Sequence, residues 1–508
     1  MKHIYFFIFS CLFGWLYSGN IQAQKINPRK VAPITKTQYK QGNISKAITN
    51  KTTQTLKATV DESVELVSTV FRIAGTPGYV TNEAKSYAED VGKTFAPMAK
   101  HPVFDLIHQM GSQHGLSYDG VAIYAAMIEI NKGRIRFKAN ADINELPKRD
   151  NRWTLANARK FSELLTDFYQ KSHYHKFFLA HQKYYKDSVL VNFNPDVVSK
   201  VDWPWFAKFF GVQNIQYPHI VAAPLDLGNY GVGYTDRFSG KRIATPIIGP
   251  YKRKSNGSLV FGPTYGVLVH EYGHVFSNPA VEHYRKQLEP IANKFVAPVI
   301  EKLRKMSYAT GYTCIIETMN RACNLQYDIE HAANASDSAD VRISMAKQKC
   351  NGFLLIEDAY KALNDYRAER NRYPSYDAFM PVIIDRFSHL KVDSVLNECN
   401  ARCGLMTLEG ITDGDTSVAP GEQTVILHFT TQHFYGFGLS TGRKGKNSVF
   451  PSIKKMHNDK NGDIILTLDL KPATSYSFSI PGAFFISKDG YPMRNTIFLD
   501  FTTANATK

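Results

Sequence analysis

At 508 residues the chain is too long for one ordinary hydrophobic core, and about 100–200 residues per domain points to two or three units. Hydrophobic residues at 44% and charged residues at 21% exclude both a disordered chain and a polytopic membrane protein. The 61 Lys plus Arg outweigh the 45 Asp plus Glu by +16, and without a recognition motif this reads as a dispersed, solvating basic surface, with no nucleic acid as partner.

Residues 1–23 read as an export signal: Lys2 and His3 give a basic start, residues 4–17 are almost unbroken apolar sequence, and Gln22-Ala23 offers a small-residue exit. A membrane anchor is the rival reading, but spanning a bilayer takes about 20 apolar residues and this run is shorter. Ile8, Phe9 and Ser10 before Cys11 only loosely resemble a lipoprotein processing site. The expected destination is the periplasm, the cell surface or the medium, and no integral membrane span is expected in the mature chain. Residues 24–55, rich in Lys, Thr, Gln, Asn and Ser, bury too little to offset ordering and read as a flexible linker.

Residues 56–407 read as one mainly helical unit. Val64, Leu66, Val67, Val70 and Phe71 fall on one helical stripe that ends at Gly75 and Pro77, and 153–169 repeats the spacing. His173, His175 and His181 lie in a basic, aromatic run with no interleaved acid, which favours an amphipathic helix surface over a second metal site. Short extended runs at 219–224, 231–235 and 242–248, punctuated by Gly, Pro and Asp, predict a small antiparallel sheet. The strand around Tyr230 to Tyr234 is a candidate edge for pairing with the backbone of an extended peptide.

Residues 262–279 carry the informative pattern, with His270, Glu271 and His274 in an HExxH arrangement between the apolar flanks Val267, Leu268, Val275 and Phe276. Pro263 suits a first helical turn and Pro279 is expected to stop the helix, leaving about four turns. Positions i and i+4 share a helix face, so both imidazoles can reach one ion, and Zn2+ takes such nitrogens at roughly 2.0–2.1 Å. Glu271, one residue on, is placed to take a proton from a water that the ion acidifies toward a pKa of roughly 7. Gly273 leaves the helix flank bare for a close neighbour.

A catalytic zinc site takes three protein ligands. The extended metzincin pattern needs Gly at 277 and His at 280, where this chain has Ser277 and Ala280, so the third ligand is expected to be a downstream carboxylate. Glu317 is the candidate, on an apolar-faced helical stretch with Arg321 four residues on to hold its other oxygen. The competing reading is an ordinary surface pair. Glu282 and Glu289 follow the expected helix stop too closely to fold back. Tyr312, Tyr373 and Arg321 are candidates for stabilising an oxyanion.

The mature chain would keep Cys314, Cys323, Cys350, Cys399 and Cys403, an odd count in which no pair has the spacing of a cysteine-rich zinc site. After about Leu408 the pattern changes to strict alternation, as in Val425, Leu427, Phe429 and Ile464, Leu466, Leu468, Leu470, with turn chemistry at Asn461-Gly462 and Asp489-Gly490. Residues 408–508 are therefore expected to form an all-β sandwich of immunoglobulin-like type. The expected fold class is α+β.

On the segments 65–75, 117–119 and 268–274, and on Glu317 with Arg321-Ala322, the chain resembles a family of exported, uncharacterised bacterial gluzincin-like metallopeptidases. The resemblance implies a zincin-like catalytic domain with His270, His274 and Glu317 as zinc ligands and Glu271 as base. The tail resembles bacterial immunoglobulin-like modules that accompany exported enzymes. The expected function is hydrolysis of a peptide or protein substrate. The alternative is a non-catalytic surface binding protein with a structural or vestigial zinc site, which has no need of a base at position 271.

Overall fold

The computed structural model describes residues 56–505 apart from positions 214–215, 263, 307, 432, 436–437 and 488–489. The expected leader (1–23), the linker (24–55), Pro263 and Asp489 lie outside the described residues. Asp61 starts the first helix, its carboxylate accepting from the backbone N–H groups of Ser63 and Val64 that the first turn leaves unpaired. In α1 (Glu62–Ile73) every residue of 63–71 is buried, so the expected apolar stripe is one face of a helix enclosed on all sides. Each large side chain it buries, such as Leu66 or Phe71, contributes roughly 1.5–3 kcal/mol.

A hairpin that the sequence pattern had not suggested follows: β1 (Ile128–Asn131) pairs with β2 (Arg134–Phe137) across Lys132 and Gly133. Both turn residues have positive φ, 50° and 71°, the conformation a two-residue hairpin needs to match strand twist. The helix expected over 153–169 is α2 (Leu155–Lys171), capped by the Thr154 side chain, with Trp153 just outside it. Next come β3 (Val221–Ala222), β4 (Asn229–Thr235) and β5 (Arg242–Ile248), in the spatial order β3-β5-β4. β4 and β5 are antiparallel as expected, but β3 runs parallel to β5, so the sheet is mixed. β4 is thereby an edge strand.

Five further helices matter for the site and its surroundings. α3 (Gly266–His283) carries the HExxH pattern, α4 (Arg285–Val296) follows it, and α5 (Gly311–Glu330) packs along both. α6 (Ala335–Cys350) and α7 (Val392–Arg402) close the helical unit. The expected stop at Pro279 does not occur. Proline at that position costs one backbone hydrogen bond, yet Ala280 and Val281 beyond it are buried, and their packing carries α3 on to His283. α5 begins at a capping box in which the Thr310 and Thr313 side chains satisfy each other's backbone N–H.

The main hydrophobic core runs to Val395, and a second one begins at Met406. The all-β pattern starts there too, with β6 (Met406–Glu409) opening two residues ahead of the expected change at Leu408. It continues with β7 (Gly421–Phe429), β8 (Ser440–Thr441), β9 (Ser452–Asn458), β10 (Ile464–Leu470), β11 (Ser475–Pro481) and β12 (Thr496–Thr502). They form two antiparallel sheets, ordered β9-β10-β7-β6 and β8-β11-β12. The alternating residues Val425, Leu427, Leu466 and Leu468 of one sheet share a core with Tyr476, Phe478, Leu499 and Phe501 of the other. The fold class is α+β. No helix among the described residues is long and apolar enough to cross a membrane.

Candidate metal centre

Burying ionisable side chains is costly unless they are paired or hold a metal. His270, His274, Glu271 and Glu317 are nonetheless 0%, 8%, 1% and 4% exposed, at the contact of α3 with α5. The helical repeat puts His270 and His274 on one face of α3, with their Nε2 atoms 3.1 Å apart. Glu317 enters from α5, its Oε1 3.3 Å from His274 Nε2 and its Oε2 3.6 Å from His270 Nε2. An ion with tetrahedral bonds of 2.0–2.1 Å separates its ligand atoms by about 3.3 Å. The three separations bracket that edge, so the donor set fits a single metal ion. His270, His274 and Glu317 are one of two groups among the described residues that could hold a metal ion.

The surrounding side chains fix which nitrogen each imidazole presents. His274 Nδ1 lies 3.0 Å from Asn278 Oδ1, so it donates there and leaves Nε2 a lone pair for an ion. His270 Nδ1 lies 2.9 Å from the amide of Asn324, and a half-turn of that amide presents its oxygen to an Nδ1–H. Asn320 donates to the His270 carbonyl oxygen at 3.0 Å, and Ser277 Oγ donates to Asn320 Oδ1 at 3.2 Å. Gly273 is what admits Asn320: a Cβ there would sit 2.5 Å from Asn320 Oδ1. The bare flank of α3 receives a side chain of α5.

Arg321 occupies the expected place, donating from Nε to Glu317 Oε2 at 3.1 Å. Its companion Tyr308, which no motif singles out, donates from its hydroxyl to Glu317 Oε2 at 3.3 Å and accepts from Arg321 Nη2 at 3.0 Å. Burial by itself raises the Glu317 carboxyl, but the hydrogen bond and charge of His274, with Arg321 and His270, hold it well below the usual range. Burial lowers His270, whereas in His274 the contact with Glu317 outweighs burial and the group is raised. The Glu317 carboxylate is thus kept ionised.

Glu271 lies against the edge strand. A Cβ on Gly231 would be 2.5 Å from the Glu271 carbonyl oxygen and 2.8 Å from its Oε2, so glycine lets β4 lie directly on α3 beside this carboxylate. Its charge also raises His274.

The two other tyrosine candidates are placed differently. The Tyr312 hydroxyl donates to Glu282, and Tyr373 packs edge-on against Phe379 at 4.9 Å between ring centres. Glu282 is kept from the ligand group by the continuity of α3, not by a helix stop, and Glu289 pairs with Arg285 at 2.9 Å. His175 pairs with Glu62 and His181 packs on Tyr87 and Phe177. The resemblance segments 65–75 and 117–119 build a buried polar layer: Glu65 accepts from Tyr87, Ser68 from the same helix donates to Asp226, and Asp119 pairs with Arg152 at 2.8 Å. The second potential metal group, Cys350, Cys399 and Cys403, joins positions whose spacing had suggested no site.

A family model, described as a domain of unknown function (DUF4932), matches residues 59–386, more than half of the chain. The chain belongs to the DUF4932 family. The matched span takes in the whole ligand group of this DUF4932 chain and the three cysteine-free segments of the resemblance, and ends before the β unit. No curated protein matches the chain. Among solved structures, the surface layer protein SbsC, domains 1–6, aligns over 48% of this chain and 34% of that one, at 13% identity and a TM-score of 0.16. The match thus spans about a third of that protein's length, and at so low a score it carries no argument.

Proposed function

We propose that this DUF4932 chain is an exported, zinc-dependent metallopeptidase of gluzincin type, with His270, His274 and Glu317 as ligands and Glu271 as general base. The observation that carries the reading is the buried triangle of two imidazole nitrogens and one carboxylate, with edges of 3.1, 3.3 and 3.6 Å, beside a further carboxylate one residue along the helix.

A zinc ion held there would supply Lewis acidity and would acidify a water molecule toward a pKa of roughly 7. Glu271 would act as the general base, accepting a proton from a water that attacks a peptide carbonyl and returning it to the departing amine. Asn278 holds the His274 ring in the tautomer with Nε2 unprotonated, and Asn324, with its amide turned to present the oxygen, would do the same for His270. Arg321 and Tyr308 orient Glu317 by hydrogen bonds to its Oε2. The edge strand β4, next to Glu271 at Gly231, is where the backbone of an extended peptide could pair, giving binding with little side-chain preference. The β unit is read as an accessory module of immunoglobulin-like type.

The test is zinc analysis of the purified chain together with hydrolysis of a mixed peptide library, with Glu271→Gln as control. One zinc per ligand group, cleavage by the wild type and none by E271Q are expected. Equal inertness of zinc-loaded wild type and E271Q would favour a surface binding protein instead.

A further inference from the structure

Three of the five described cysteines gather where the helical and β units meet. Cys350 ends α6, and Cys399 and Cys403 lie four residues apart at the end of α7, so both face the same neighbour. The Sγ of Cys350 is 2.8 Å from that of Cys403 and 3.8 Å from that of Cys399. Tyr491 of the β unit completes this small cluster, accepting from Arg402 and donating to Glu357, while the backbone N–H of Arg494 donates to the Gly404 carbonyl. A structural zinc site takes four protein ligands, and among the described residues no fourth joins these three sulfurs.

We propose that Cys350 is the hub of an exchangeable disulfide that bridges to Cys403 or to Cys399 and staples α6 to α7 beneath the β unit. The two α7 thiols cannot serve each other. Residues four apart on a helix have Cβ atoms about 5–6 Å apart, whereas a disulfide needs about 3.5–4.5 Å. Each therefore depends on Cys350, and whichever is left out stands within reach of the bridge as a thiol.

Forming the bridge removes two protons and two electrons from two thiols, and an oxidised small-molecule disulfide such as glutathione disulfide takes them up to become two thiols. Exchange then needs no further oxidant. The Cys399 thiolate attacks the Cys350 sulfur, the Cys350–Cys403 bond breaks, and the departing Cys403 sulfur takes up the proton. Sulfur hydrogen bonds from Cys350 and Cys403 lower the Cys399 thiol while all three are reduced; once Cys350 is bridged to Cys403 those donors are gone, and the nearby charges of Lys349 and Lys302 remain to favour the Cys399 thiolate.

The experiment uses the full chain equilibrated in a glutathione redox buffer, then alkylated and mapped by peptide mass spectrometry with zinc counted in parallel. The wild type is expected to carry one bridge containing Cys350, and Cys314 and Cys323 to remain thiols. C403S is expected to bridge through Cys399, C399S through Cys403, and C350S to carry no bridge. Reduction is expected to lower the wild-type Tm by several degrees, because the bridge closes a loop of about fifty residues, and to leave C350S unmoved. Alkylation of Cys350, Cys399 and Cys403 alike in the oxidised wild type, a Cys399–Cys403 bridge in C350S, or a second zinc per chain shielding all three thiols would each overturn the proposal, and the wild-type measurement decides even where a variant fails to fold.

Discussion

Gly273→Ala tests how the ligand group is built. The new methyl would lie 2.5 Å from Asn320 Oδ1 and 3.4 Å from Asn324 Oδ1, so something must move by roughly 0.7 Å or more to reach van der Waals contact. Asn320 cannot yield cheaply, because its amide is bound to the His270 carbonyl and to Ser277. If it swings out, the α3 contact beside His270 is lost. If instead α5 backs away, Glu317, one turn earlier on that helix, retreats with it, and metal bonds tolerate only about 0.2 Å. Either route is expected to weaken zinc binding by about 10–100-fold, equivalent to roughly 1.4–2.8 kcal/mol. Competition titration against a chelating zinc dye measures this, with circular dichroism to establish that the variant is folded. Gly92→Ala is the control: its Cβ meets nothing within 4 Å and its helix should gain slightly from alanine. A folded G273A that binds zinc as tightly as wild type would refute the account of how α3 and α5 position the ligands.

Asn278→Ala removes the acceptor of His274 Nδ1 and should cost roughly tenfold in zinc affinity without unfolding the helix, read by the same titration. Asp226 is buried with Ser68 Oγ as its donor, and burial pushes its carboxyl up to about 8. The folded chain then binds a proton that the unfolded chain gives up near pH 4, so stability is full below that pH and falls as pH rises through about 8, by at most on the order of 5 kcal/mol. Asp226→Asn should therefore gain on wild type in urea melts between pH 5 and pH 9, and a constant difference would show that Asp226 is not the source. Tyr308→Phe should lower zinc affinity severalfold by releasing Glu317, whereas Tyr312→Phe, which severs only a contact with Glu282, should leave peptide turnover within about twofold; a tenfold loss there would restore Tyr312 as an oxyanion donor.

The HExxH face was legible because its logic is local: four residues make one turn, and the pattern alone sets two imidazoles side by side. Glu317 was legible from its apolar surroundings and its partner Arg321 on the same helix. Asn320 and Asn324 were not singled out, because they meet His270 across some fifty residues and no spacing records such a contact. A signal was nevertheless present: Glu317, Asn320, Arg321 and Asn324 form a polar stripe at steps of three and four on a mostly buried helix, which asks for buried polar partners. Pro279 misled because the propensity of one residue is outweighed by burial of the turn beyond it. The cysteines share a face of α7 at i, i+4, but Cys350 comes from a different helix whose docking only the tertiary fold determines. In the β unit, period-two alternation and Asn461-Gly462 sufficed to place the core-facing residues.

Both imidazoles ride on one rod and the carboxylate on another, with nearly thirty residues, α4 among them, between the two. A cation seated between them would fix how far one rod slides and rolls on the other, so capturing the ion and annealing the centre of the molecule become a single thermodynamic event. With no cation there, the contact of the two helices would open more readily than the packing around it, so the molecule would be softest at its middle.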